Sequence, residues 1–81
     1  HIHQDAQVYA GLFDGPEHAE LRVAPGRLVY VHVARGRIVA NGEALEAGDA
    51  LKLTDEPDLR LVGGEAAEVI VFDLPADIEQ L

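Results

Sequence analysis

The stretch Arg27–Asp49, RLVYVHVARGRIVANGEALEAGD, decides the fold of this chain because it holds the longest β-type run and two tight-turn signals. Between Leu28 and Val33 every residue is aliphatic or aromatic except His32, so both faces of a strand with a two-residue period are apolar. We therefore predict a central strand that needs cover on both sides.

The rest of this stretch predicts a chain of tight turns. Arg35–Gly36 predicts a turn, and Arg37–Ala40 predicts a second strand after it. Asn41–Gly42 is the pair most favoured in a type I′ hairpin, because both central residues must tolerate positive φ. The segment Leu45–Asp49 predicts a strand end that turns at Gly48. Short strands joined this closely indicate an antiparallel sheet.

The chain on either side divides into further short β-type segments. Five of them are predicted strands: Gln4–Phe13, His18–Ala24, Ala50–Thr54, Leu59–Val62 and Glu68–Leu74. Four turn or breaker signals separate them: Asp14–Pro16, Pro25–Gly26, Asp55–Pro57 and Gly63–Gly64. Roughly eight strands of about five residues, with turns about every 8 to 12 residues, predict an all-β jelly-roll barrel or sandwich.

Three segments carry more detail. In the first predicted strand, one face is made of Ala6, Val8, Ala10 and Leu12. The run Glu68–Leu74 is apolar on both faces, so we expect it to lie centrally in a sheet or under a partner. Pro75–Leu81 is predicted to form a short helical turn.

Length and composition limit the class of protein. The 81 residues are expected to form one domain, residues 1–81, which buries only roughly 60% of its unfolded surface. The absence of cysteine excludes disulfides and cysteine zinc sites, and we expect a cytoplasmic protein. No apolar run approaches the roughly 18 residues of a membrane span. The chain does not begin with methionine, which suggests a domain excised or processed from a longer protein.

The charge is strongly acidic. The formal net charge is −9, from 15 acidic and 6 basic residues. Such a surface repels phosphate backbones, so nucleic acid is not an expected partner. We interpret the charge as a solvated surface that keeps a small domain in solution.

The order of strand, glycine turn, hairpin and Gly-Asp corner in Val29–Asp49 resembles the core of the cupin pattern. Seven short pieces together resemble the C-terminal cupin of the pirin-like bicupins, a family that includes proteins with quercetin 2,3-dioxygenase activity. The pieces are HQDAQVYAG (His3–Gly11), APGR (Ala24–Arg27), VHVARG (Val31–Gly36), NG (Asn41–Gly42), LEAGD (Leu45–Asp49), DEP (Asp55–Pro57) and VIVFDLP (Val69–Pro75).

The resemblance implies two cupin barrels in the parent protein, with a metal, usually iron, in the N-terminal one. A metal-binding cupin presents His-x-His, then Glu, and a further His after the Gly-Asp corner. The corresponding positions here are around Leu21, Arg22 and Val23, then Arg27–Val29, then Asp55–Val62, and none offers that ligand set. The resemblance therefore implies no catalytic, cofactor-binding or metal-binding residue in this chain, and iron or another divalent metal only in the N-terminal half.

Some side chains are candidates for chemistry outside that pattern. His1 and His3 have the spacing that puts two imidazoles on one face of an extended chain, but no third ligand follows, so we favour a plain terminal segment. His32 is either a ligand or acid-base group at a barrel mouth or a half-buried histidine with one hydrogen bond, and we favour the second. His18 is expected at the surface.

The remaining candidates are predicted to be structural. Four aspartates sit at turns or strand ends, where a carboxylate accepts backbone hydrogen bonds: Asp14, Asp49, Asp55 and Asp73. Tyr9 and Tyr30 are either the lining of a cavity for a small aromatic ligand or core residues, and we favour core packing.

The leading hypothesis is a non-catalytic cupin module that packs against an N-terminal cupin half or a second copy of itself as a dimer. One alternative is part of an active, metal-dependent quercetin 2,3-dioxygenase. Another is a regulatory cupin that binds a small ligand or a protein.

Overall fold

Antiparallel β-strands make up the described part of the chain, which confirms the predicted all-β class. The computed structural model describes residues 6–54 and 56–75. Its strands are β1 (Gln7–Phe13), β2 (Ala19–Arg22), β3 (Arg27–Ala40), β4 (Glu43–Glu46), β5 (Ala50–Thr54) and β6 (Asp58–Pro75). No helix in these two ranges has the length and hydropathy to cross a membrane.

The two long strands, β3 and β6, pair with each other and extend through two layers. In the first layer, the C-terminal half of β6 also pairs with β1, and the N-terminal half of β3 pairs with β5. In the second layer, the N-terminal half of β6 pairs with β2, and the C-terminal half of β3 pairs with β4. Each layer therefore has a four-strand order, β1-β6-β3-β5 in the first and β2-β6-β3-β4 in the second.

The inner faces of both layers share one hydrophobic core. Val29, Val31 and Val33 of β3 are fully buried, as the two-residue period of the opening stretch predicts for one of its faces. The second layer contributes side chains such as Ile38 and Leu59 to the same cluster. The cluster spans both layers, so the architecture is the double-layered barrel that the strand pattern predicts.

Two predicted turns are wrong. Arg35–Gly36 lies inside β3 and Gly63–Gly64 lies inside β6, so the chain has fewer and longer strands than predicted. The pairing of β3 with β6 changes register three times between Val33 and Val39. Both Gly36 and Gly63 have positive φ, 68° and 65°. A glycine in this conformation forms a bulge that bends a strand as readily as it forms a turn.

The predicted turns at Asn41–Gly42 and Gly48 are confirmed. Asn41 and Gly42 both have positive φ, 48° and 83°, and Ala40 pairs with Glu43 across the hairpin, as a two-residue type I′ turn requires. The strand end at Gly48 is also confirmed, with φ of 93°. Of the predicted helical turn, only Pro75 is among the described residues, and it is the last residue of β6.

Ala66→Gly and Asn41→Gly are expected to change stability in opposite directions. Both residues have φ of 48°, where a side chain is unfavourable, so glycine at position 66 should raise the free energy of unfolding by up to about 1 kcal/mol. The Asn41 side chain accepts a hydrogen bond from Arg60 N (2.7 Å) and donates one to Asp58 O (2.9 Å). Replacing Asn41 with glycine removes both hydrogen bonds. This loss should outweigh the relief of backbone strain and lower the free energy of unfolding by about 1 kcal/mol.

Urea unfolding of the two glycine variants, followed by circular dichroism, measures both effects. Equal shifts of the same sign would show that the Asn41 side chain does not tie the β3–β4 hairpin to β6.

Candidate functional site

The outward side of the first layer is mostly apolar, with Lys52 of β5 opposite Tyr30 at its edge. We call it the outer face, and its residues are Val8, Ala10, Leu12, Tyr30, His32, Ile70 and Phe72. The register places Val8, Phe72 and Tyr30 in one cross-strand row. Ala10, Ile70 and His32 form the next row. Paired residues in antiparallel strands point to the same side of a sheet, so these side chains form one continuous surface.

Much of this surface is open to solvent. Leu12 is 74% exposed and Val8 is 62% exposed, while Tyr30, Ile70 and Phe72 are half-buried. Single exposed aliphatic residues are ordinary on protein surfaces, but a contiguous apolar patch indicates a contact site. The alternation in the first predicted strand already placed Val8, Ala10 and Leu12 on one apolar face. It did not show whether that face points into the core or outward.

The outward side of the second layer is charged and carries cross-strand ion pairs. Glu20 Oε2 lies 3.9 Å from Arg60 Nε. Arg22 Nε lies 4.0 Å from Asp58 Oδ1. On the neighbouring strands, Arg37 Nη2 lies 3.6 Å from Glu46 Oε1. Polar outward side chains are normal for an antiparallel sheet with one solvated face, so the first layer is the exception.

Charge also borders the outer face of the first layer. Arg35 Nε lies 3.4 Å from Glu68 Oε1, and Glu68 pairs in register with Leu12. A polar rim around an apolar centre is the usual anatomy of a protein contact surface.

The two described histidines, His18 and His32, lie in different parts of the fold. His32 lies on the outer face, half-buried, with Ile70 and Ala50 as strand partners. His18 is exposed, and its Nδ1 lies 3.3 Å from Pro16 O. His1 and His3 lie outside the described residues. Within residues 6–54 and 56–75, no group of three His, Cys, Asp or Glu side chains has an arrangement that holds a metal.

Packing residues occupy the positions that the resemblance assigns to metal ligands. Leu21 packs against the core cluster, Val23 is buried, and Arg22 points outward to its ion pair with Asp58. Val29 is fully buried. None of these side chains has a group that coordinates a metal, and Leu21, Val23 and Val29 fill the barrel interior.

The aspartates contact the backbone or an arginine. Asp14 Oδ1 accepts a hydrogen bond from Ala66 N (3.1 Å), and Asp49 Oδ2 accepts one from Glu46 N (2.8 Å) at the Gly-Asp corner. Asp73 is buried, and its Oδ1 lies 2.8 Å from Arg27 Nε. Asp55 lies outside the described residues.

The two tyrosines are in different places. Tyr30 is on the outer face. Tyr9 is 42% exposed and pairs with Val71 on the opposite side of β1, where its hydroxyl donates to Gln7 Oε1. Tyr9 stands at the edge of an apolar groove that the sequence did not reveal, because the groove depends on how β1 and β2 lie next to each other.

The double-layered antiparallel barrel and its Gly-Asp corner have the architecture of the cupins. The chain belongs to the family of quercetinase C-terminal cupin domains, whose model matches residues 1–74. This confirms the resemblance seen in the sequence.

Three relatives support the family assignment. A Pseudomonas aeruginosa protein, whose name assigns it provisionally to the quercetin 2,3-dioxygenases, is 36% identical over 91% of this chain. The quercetin 2,3-dioxygenase of Escherichia coli K12 is 30% identical over the same share. The E. coli bacterial pirin YhhW, whose crystal structure was determined in complex with nickel(II), is 30% identical in sequence over 91% of this chain. The two structures superpose with a TM-score of 0.84. In all three comparisons the chain covers 32% of the relative's length.

Proposed function

We propose that this chain is a non-catalytic cupin module of a pirin-like, quercetin 2,3-dioxygenase-like protein. In this proposal its outer face packs against an N-terminal cupin half that bears the metal, or against a second copy of the chain. The observation that carries the proposal is the contrast between the two outward surfaces. The second layer presents ion pairs to solvent, whereas the first presents exposed Val8 and Leu12 beside half-buried Phe72 and Ile70.

The length of the relatives supports an N-terminal half as the occupant. The chain spans about one third of their length, and the nickel in the YhhW complex shows that a relative of this larger size binds a divalent metal. The packed interior around Leu21 and Val23 supports placing that metal in the part of the protein outside this chain. A second copy is the simplest substitute when the N-terminal half is absent, because twofold dimers are the commonest assemblies.

The double variant Val8→Ser, Leu12→Ser tests the outer face. The unsubstituted chain is expected to associate at low micromolar concentration, and the double variant should associate about a hundredfold more weakly. Each aliphatic side chain contributes at least about 1.5 kcal/mol when an interface buries it, which is about tenfold in affinity. Sedimentation velocity over a concentration series measures the association.

Val62→Ser is the matched control, since Val62 is an exposed valine, at 39%, on a strand of the charged layer. It should leave the association unchanged. A monomeric parent chain, or an equal effect of the Val62 substitution, would show that the outer face is not the contact surface.

We also expect this chain alone to give no turnover of quercetin with iron(II) or nickel(II) added. The positions that correspond to the ligands of a metal-binding cupin hold Leu21 and Val23, which cannot coordinate either metal. Oxygen consumption in the presence of quercetin measures the reaction. Turnover that disappears in a His1→Ala, His3→Ala double variant would place a metal site in this chain after all.

A further inference from the structure

A groove of about 350 Å³ opens between β1 and β2 on the inner side of the barrel. Its walls are mostly hydrocarbon, and the large apolar side chains that line it include Phe13, Leu21, Leu59, Leu61, Val69 and Val71. It lies on the opposite side of β1 from the outer face, because Tyr9 and Gly11 pair with Val71 and Val69, whose side chains are in the core. It is therefore a second site on the other side of β1, although Ala10 of the outer face also borders it.

The groove follows from the topology. β1 pairs with β6 from Ala67 to Asp73, and β2 pairs with β6 from Asp58 to Leu61. The two short strands thus occupy different halves of β6 and belong to different layers. These two described strands have no ladder between them where they come nearest. Buried side chains of β6 line the gap there: Leu59, Leu61, Val69 and Val71.

Gly11 shapes one wall of this groove. A Cβ built at this position would lie 2.9 Å from Phe13 Cε1, closer than a carbon contact permits. The Phe13 ring can therefore lie along β1 over Gly11 only because residue 11 has no side chain. The result is an aromatic wall opposite the aliphatic side chains of β2 and β6.

The chemistry of the lining selects the class of ligand. Glu20 borders the groove, but its carboxylate lies 3.9 Å from Arg60 Nε on the outward side of the second layer. No arginine, lysine or histidine is among the described lining residues. With a net charge of −9, the chain disfavours an anion at this position. Ligand pockets have volumes of roughly 300 to 1,000 Å³ and mainly apolar walls. An apolar cavity of about 150 Å³ accommodates benzene, so this groove has room for two fused rings.

We propose that the groove binds a neutral aromatic compound of one or two rings. The probe for this site is indole, which is neutral, bicyclic and soluble to millimolar concentration. In a titration of the methyl-labelled chain followed by NMR, saturable shifts are expected at Leu21, Leu59 and Val71. The methyl groups of Val8 and Leu12 on the outer face should not move. Absence of shifts at millimolar indole, or shifts confined to the outer face, would overturn the proposal.

Ala19→Leu tests the site by filling it from β2, where Ala19 pairs with Leu61 on the inner face. Indole should bind at least tenfold more weakly to this variant. Ala44→Leu is the matched control, since Ala44 is an alanine on β4, another four-residue strand, and is exposed to solvent. Its affinity should equal that of the unsubstituted chain.

An unchanged affinity in the Ala19→Leu variant would also overturn the proposal. If circular dichroism shows that this variant does not fold, the methyl shifts of the unsubstituted chain decide the question by themselves.

Discussion

Replacing Gly36 with alanine is expected to lower the free energy of unfolding by more than about 3 kcal/mol. A Cβ at this position would lie 2.3 Å from both Ala66 O and Glu65 O, and these are backbone atoms of β6 that cannot rotate away. The φ of 68° adds the cost of a left-handed residue, about 1 to 2 kcal/mol. A small domain has limited stability to lose, so most of the variant should be unfolded in moderate urea.

Gly63→Ala separates the two causes of this loss. Gly63 has nearly the same φ, 65°, but a Cβ there would meet only Val39 Cγ2 at 3.7 Å, an ordinary contact. We expect a cost of about 1 kcal/mol from the backbone conformation alone. Urea unfolding followed by circular dichroism measures both variants. Equal losses would show that β3 and β6 do not approach as closely at Gly36 as the structure indicates.

Arg27→Met is expected to cost about 3 kcal/mol, because it leaves the Asp73 carboxylate without its cation. The side chains of Arg27 and Asp73 are only 15% and 12% exposed, and Arg27 Nη2 also donates to Asp73 O at 3.0 Å. Breaking a buried ion pair from one side is much worse than replacing both partners by apolar residues. The double variant Arg27→Met, Asp73→Leu should therefore be more stable than the single variant.

The ion pair of Arg22 with Asp58 is the control for this experiment. Its side chains are 90% and 46% exposed and its closest atoms are 4.0 Å apart, so Arg22→Met should cost less than about 1 kcal/mol. Thermal unfolding measures all three variants. A double variant less stable than Arg27→Met would show that the ion pair itself, and not the uncompensated charge, supports this end of the barrel.

Sequence patterns were sufficient to predict the features that depend on local backbone conformation. The Asn41–Gly42 hairpin, the turn at Gly48 and the buried inner face of β3 all follow from positive-φ preferences and a two-residue period. The cupin class followed from the order of these features along the chain, which the family match confirms.

Sequence patterns were insufficient to predict the features that depend on contacts with a neighbouring strand. Glycine at positions 36 and 64 is needed because β3, β6 and the end of β1 approach closely there. Glycine at position 63 is favoured by its positive φ. A Cβ at Gly64 would lie 2.6 Å from Phe13 Cβ. Arg-Gly and Gly-Gly pairs are also typical of turns. Only the register of β3 with β6 shows that both strands continue through these glycines.

The candidate site shows the same limit. The apolar runs at Leu28–Val33 and Glu68–Leu74 indicated a surface that needs cover. In the structure, β3 and β6 present the half-buried side chains of Tyr30 and Phe72 on the outer face. Whether the shared face of Val8 and Leu12 points inward or outward depends on the register of β1 with β6, which composition and spacing do not fix.

Thiol labelling shows whether the outer face is the surface through which the chain associates. The chain contains no cysteine, so Ala10→Cys and Ala44→Cys each introduce one thiol, on the outer face and on the outward side of the charged layer. The rate of maleimide labelling is measured as the protein concentration rises through the association midpoint. We expect labelling to slow at least tenfold for the cysteine at position 10 and to stay unchanged at position 44. Protection at position 44, or equal rates at all concentrations, would contradict this expectation.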